Sequence, residues 1–188
     1  MKLPLQSRRA MLFGTGCLLA VLPAVMISAS ARADQLLEIE NFDATGVSTG
    51  KLRVAKIVKS EADWRRALPA ESFEVTRHAG TEVPFTGAYW DLHKDGLFRC
   101  VCCATALFDS RTKFDSGTGW PSFWRPISAD NVVEIKDDSL GIERTAVSCK
   151  RCDAHLGHVF NDGPPPTGLR YCMNSAALVF VARARARA

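Results

Sequence analysis

Cys100-Val101-Cys102-Cys103 and Cys149-Lys150-Arg151-Cys152-Asp153-Ala154-His155-Leu156-Gly157-His158 are the stretches on which the fold turns. Cys100 and Cys103 enclose two residues, Cys149 and Cys152 enclose two more, and 45 residues separate the pairs. A Cys-x-x-Cys segment doubles back, so both sulfurs point to one centre, and two such knuckles complete a tetrahedron. The spacing predicts a structural zinc ion on Cys100, Cys103, Cys149 and Cys152, with no open position and therefore no chemistry of its own. The rival is a pair of disulfides in an oxidising compartment. Paired knuckles serve a metal better than they serve long-range stapling.

Working outward, the chain after Gly80 consists of short apolar or aromatic runs separated by Gly, Pro, Asp and Ser. Gly96–Val101, Asn131–Lys136, Ile142–Ser148, His158–Phe160, Arg170–Met173 and Ala177–Val181 are the expected strands. Such spacing argues for an antiparallel, mainly β core. Pro164-Pro165-Pro166 marks a stiff loop. Upstream, Ser60-Glu61-Ala62-Asp63 has the form of a capped helix start leading into Trp64–Leu68. Pro69 opens a second short helix that ends near Gly80. Lys51–Val58 alternates as a strand does, and residues 34–59 are expected as a loosely attached lead-in to a domain over 60–181. Gly46-Val47-Ser48-Thr49-Gly50 fits the Gly-x-Ser-x-Gly pattern of hydrolases, but no helix opens after it, so the match is a coincidence.

The 188 residues carry a formal charge of +4. Residues 1–33 hold Lys2, Arg8, Arg9 and Arg32 and no acid, so the whole excess lies there and residues 34–188 balance. Arg183, Arg185 and Arg187 close the chain in an Ala-Arg alternation, expected over 182–188 as a solvated tail. The body between is slightly acidic, which excludes a phosphate-tracking surface and a nucleic-acid partner. Ser7-Arg8-Arg9, an apolar run from Met11 to Ile27 and Ala31-Arg32-Ala33 together read as a cleaved secretory signal of twin-arginine type. The expected destination is the bacterial periplasm, with no stable membrane anchor after cleavage; an uncleaved anchor helix is the alternative. Cys17 falls within the signal, which leaves six of the seven cysteines.

Cys102 stands between two metal ligands and points away from their centre. Cys172, in Arg170-Tyr171-Cys172-Met173-Asn174-Ser175, stands alone beyond the knuckles. Cationic neighbours favour a thiolate there, which makes it a candidate nucleophile. His155 and His158 follow the second knuckle closely and are placed to protonate an oxygen leaving a sulfur. Thr118-Gly119-Trp120-Pro121-Ser122-Phe123 puts aromatic rings on a tight turn, a pocket for a small apolar group.

The run Lys113-Phe114-Asp115-Ser116-Gly117-Thr118-Gly119-Trp120-Pro121-Ser122-Phe123 resembles a signature of the type B peptide-methionine (R)-S-oxide reductases. So do His155 to Pro164, Arg170 to Ser175, Thr81 to Gly87 and both Cys-x-x-Cys pairs, in order, from about Trp64 to Phe180. The resemblance implies two antiparallel sheets with small N-terminal helices and a structural zinc. It implies that Cys172 attacks the sulfoxide sulfur, that His155 and His158 assist proton delivery, and that Trp120 and Phe123 receive the substrate. Asn174 and Arg170 would orient these groups, with Asp162 behind Arg170. Oxidised proteins bearing methionine-R-sulfoxide are the implied substrates. Many members carry a resolving cysteine where this chain has Thr118; its absence implies recycling of Cys172 by a thioredoxin-like or other external thiol unless Cys102 serves. A zinc-stabilised β module that only binds is the alternative, but it has no need of Cys172, the histidine pair and Asn174 together. A redox sensor has no use for a methyl pocket at Trp120.

Overall fold

The computed structural model describes residues 36–138 and 144–184. The expected export signal, residues 185–188 and the expected strand start at Ile142 lie outside them. Among the described residues no helix is long and apolar enough to cross a membrane.

The fold is mainly β, but among the described residues there are three sheets rather than the two expected. A hairpin of β1 (Leu36–Phe42) and β2 (Ser48–Ala55) stands first. A three-stranded sheet is ordered β11-β3-β4, from Leu178–Ala182, Gly96–Cys100 and Ala106–Asp109. The third is six-stranded, in the order β5-β6-β10-β9-β8-β7. Its strands are Lys113–Phe114, Ser122–Phe123, Arg170–Met173, His155–Phe160, Arg144–Cys149 and Val132–Asp137. Every pairing is antiparallel.

Two helices precede the larger sheets. In α1 (Glu61–Ala67) the Ser60 hydroxyl accepts from the Asp63 amide and satisfies one of the four amides a helix start leaves open. Pro69 precedes α2 (Ala70–His78), which stops where Ala79 turns left-handed at φ 54°. Trp64 of α1 and Phe73 and Val75 of α2 enter the main core with Phe98, Phe108, Phe123, Leu156 and Met173 from the sheets. There Phe123 stacks on Phe108, centroids 4.5 Å apart, and Phe98 meets it edge-on at 5.0 Å. Burying each ring contributes about 2–3 kcal/mol. These contacts join the six-stranded sheet to the three-stranded one.

Two expectations for the chain ends are corrected. The lead-in is an ordered hairpin: the Asn131 side chain bonds both the amide and the carbonyl of Glu40, and Phe42 packs with Leu97 and Ala106. Arg183 is not a solvated tail residue. Its side chain is 8% exposed and pairs with Asp109 at 2.6 Å and Asp95 at 2.9 Å, while Nη1 donates to the Thr45 carbonyl in the hairpin turn. Gly46–Gly50 lies in that turn and the start of β2, so no strand–turn–helix elbow forms.

Candidate active site and metal centre

The two knuckles have the same local form. The amide of Ala104 donates to the Cys100 carbonyl at 2.8 Å, and that of Asp153 to the Cys149 carbonyl at 2.9 Å. Ala104 (φ 59°) and Asp153 (φ 55°) are both left-handed, the conformation that turns each loop back on its cysteines. The sulfurs of Cys100, Cys103, Cys149 and Cys152 all lie within 4.8 Å of one another, with Cys100–Cys152 at 3.6 Å and Cys103–Cys149 at 3.5 Å. Four thiolates about 2.3 Å from one ion stand about 3.8 Å apart, so the donor set fits a tetrahedral metal. All six described cysteines are free, and the knuckle sulfurs approach no closer than 3.5 Å, wider than a disulfide bond. The cluster can ligate a metal, and three of its four residues are buried.

The second site forms where β10 runs between β6 and β9. Cys172 faces Ser122 on one side and His158 on the other. Gly157 permits the approach of β9, since a Cβ there would lie 2.1 Å from the Cys172 carbonyl oxygen. On the β8 side His158 faces Ala146, three residues before Cys149, about 10 Å along the strand. The four-cysteine cluster therefore lies apart from this site and contributes no side chain to its cleft.

Cys172 is half-buried and lines a cleft of about 150 Å³ with Trp120, His158, Arg144, Phe160 and Asn174. Burial raises the Cys172 thiol above its ordinary value, while Arg170, Thr118 and Ser122 pull it down. The cationic neighbour expected to favour the thiolate is present, but desolvation outweighs it. Asp162 holds Arg170 by two bonds, 2.9 Å from Nε and 2.8 Å from Nη2, and the guanidinium lies 4.5 Å from the Phe160 ring centroid. Gly163 lets the loop close for that grip: a Cβ would fall 1.9 Å from the Leu169 carbonyl oxygen. Thr118 Oγ1 is 4.0 Å from Cys172 Sγ, within a hydroxyl chain through Ser116 to Ser122.

The two histidines have different surroundings. His158 lines the cleft, whereas His155 is 7% exposed and its Nε2 has no hydrogen-bond partner among the described residues. Burial, helped by the neighbouring His158 and Arg144 and opposed by Asp137, pushes the His155 imidazole down to about 4. It is therefore neutral near pH 7, which leaves His158 as the candidate acid.

Trp120 lines the cleft, its Nε1 donating to the Glu82 carbonyl at 3.1 Å. Phe123, expected beside it, is corrected: it is fully buried in the core, because on β6 Ser122 faces Cys172 and the next residue faces the opposite way. Asn174 also lines the cleft, but its polar atoms are engaged: Oδ1 accepts from the Glu82 amide and Nδ2 donates to the Leu156 carbonyl. Glu82 is the residue that sequence reading missed. Buried at 4% exposure, its carboxylate takes the amides of Ser175 and Ala176, so one residue ties Trp120, Asn174 and the turn after Cys172 together. The partners of its carboxylate are backbone amides, which leave no mark in a sequence. Cys102 lies 3.5 Å from Thr76 of α2 and, contrary to expectation, also borders the Cys100 and Cys152 sulfurs rather than pointing away from them.

A cysteine in a cleft between a histidine and an aromatic ring, on a β scaffold pinned by four thiolates, defines a thiol-dependent oxidoreductase site. Residues 68–182 match the family model described as the SelR domain, well over half of the chain. The chain belongs to that family, the type B methionine sulfoxide reductases, and is an oxidoreductase acting on sulfur. It is similar to a protein named Peptide methionine sulfoxide reductase MsrB from Herminiimonas arsenicoxydans, 60% identical over 125 residues, which cover 66% of this chain and 91% of the relative. Proteins of the same name from Synechococcus sp. (strain RCC307) and Pseudomonas fluorescens (strain Pf0-1) are 57% and 56% identical. These matches cover 64% and 68% of this chain, and 89% and 98% of the relatives.

Proposed function

We propose that the chain reduces the R epimer of methionine sulfoxide in oxidised proteins to methionine. The observation that carries this is Cys172 in a cleft with Trp120 and His158. The substrate methyl group rests against the Trp120 ring, and the Cys172 thiolate attacks the sulfoxide sulfur. His158 protonates the oxygen, and as the hydroxyl bonds to the Cys172 sulfur the substrate S–O bond and the transient S–S bond both break, leaving methionine and a sulfenic acid on Cys172. The proton given up by the thiol on ionising balances the one the oxygen gains. Arg170, fixed by Asp162, supplies positive charge near the thiolate, and Asn174 holds the strand ends in place.

Recycling falls to an external thioredoxin-like thiol, because Thr118 cannot form a disulfide. A separate opening of about 440 Å³, bounded by Ser116, Thr118, Asp162 and Arg170, lies on the Thr118 side of Cys172, where Thr118 Oγ1 is 4.0 Å from Sγ. Two equivalents of thiol convert the sulfenic acid to Cys172 thiol, one disulfide and water. Zinc is the proposed occupant of the four-thiolate site, which it would cross-link without reaching substrate. The domain is assigned to residues 60–181, behind an export signal over 1–33 that directs it to the periplasm.

A stereospecific assay tests the reaction: the R epimer is consumed, the S epimer is not, and Cys172→Ser abolishes turnover. Consumption of both epimers, or activity in that variant, refutes it. Mass spectrometry after one turnover without reductant is expected to find one added oxygen on Cys172; a Cys102–Cys172 disulfide would exclude direct external recycling.

A further inference from the structure

His158 is held by Asp137, which is in turn held by Arg144, and both lie outside the site drawn from sequence. β7 ends at Asp137 and β8 begins at Arg144, and the two face each other across that ladder. Asp137 Oδ2 lies 2.7 Å from His158 Nε2 and 2.7 Å from Arg144 Nη2, so one carboxylate oxygen joins β7, β8 and β9. The three side chains are largely buried, 18%, 23% and 12% exposed for Asp137, Arg144 and His158. Arg144 and His158 line the cleft with Cys172.

A carboxylate on one imidazole nitrogen decides which tautomer is present and which nitrogen is left for the reaction. With Nε2–H donated to Asp137, Nδ1 remains. Arg144 on the same oxygen fixes the direction of the carboxylate. We infer that Asp137 and Arg144 are positioning residues that select the Nε2–H tautomer of His158 and make Nδ1 the nitrogen that delivers the proton to the sulfoxide oxygen. In the doubly protonated ring the proton leaves Nδ1 for that oxygen while Nε2–H stays on Asp137, and the ring returns to the neutral tautomer. The inference rests on the reading of His158 as the acid.

Imidazole nitrogen–proton correlation NMR on the metal-loaded chain reads the tautomer without any turnover. Neutral His158 is expected with its proton on Nε2; a proton on Nδ1 overturns the inference whatever the activity. In kinetics, Asp137→Ala is expected to lower kcat about 100-fold with KM within about twofold, and Asp137→Glu to restore most of it. An unchanged kcat in Asp137→Ala overturns the inference, and if that variant does not fold the wild-type spectrum decides. Absence of any sulfoxide reduction by the wild-type chain would sink the reading of the enzyme instead, and the spectrum would still report on the tautomer.

Discussion

Cys172 has to ionise against its surroundings. Burial sets its thiol above the ordinary range, and Arg170 only partly offsets that. The thiolate therefore forms as pH rises through the raised value, and less of it is present below than at an exposed cysteine. Alkylation of Cys172 by iodoacetamide should still be accelerating above about pH 8.5, the usual thiol value. Arg170→Met should move that rise to higher pH still. A rate that has levelled off below pH 8 in the wild-type chain contradicts this account. Single residues also show where sequence reading reached and where it stopped. The knuckle cysteines were legible in their spacing, whereas Cys172, His158 and Trp120 were singled out by the resemblance of the runs that hold them, and these three line one cleft. Phe123 was misplaced because β6 has only two residues, too few for alternation to reveal which one faces the cleft. Glu82 and Asp137 were missed because what matters is a partner dozens of residues or one strand away.

At the scale of elements, the knuckles work because two non-glycine residues accept a left-handed backbone. Ala104 is exposed, so its methyl group gains little burial in return for that strain. Ala104→Gly is expected to stabilise the metal-loaded protein by about 0.5–1 kcal/mol in urea unfolding. A loss of stability would mean the turn is not strained. Asp153 is the poorer site for the same change, because its carboxylate pairs with Lys56 at 2.6 Å. Strand boundaries were read well where runs are bounded by turn residues, as for Arg170–Met173. The strand Ala106–Asp109 escaped notice: four buried residues show no alternation and look like any short apolar run. The first hairpin looked like a lead-in because most of β2 is exposed and its attachment is made by Asn131 and Phe42, not by a hydrophobic stripe.

In the whole molecule, Arg183 joins the hairpin turn to the three-stranded sheet. Arg183→Met should cost about 2 kcal/mol, since it leaves the largely buried Asp109 without its cation. It should also speed hydrogen exchange in β1 and β2 far more than in β9 and β10, and uniform acceleration would show that the hairpin is not separately latched. The Ala-Arg alternation hid this role, since composition alone reads as a tail and the acids it meets are 74 and 88 residues away. The latch also sets an order of events during synthesis. Thr45 leaves the ribosome 138 residues ahead of the arginine that pins it. At 5–20 residues per second the hairpin waits roughly 7–28 s before it can be fastened. Throughout that interval the newborn chain carries a paired but untethered arm, open to proteases and chaperones, and only a chain translated through Arg183 can close it.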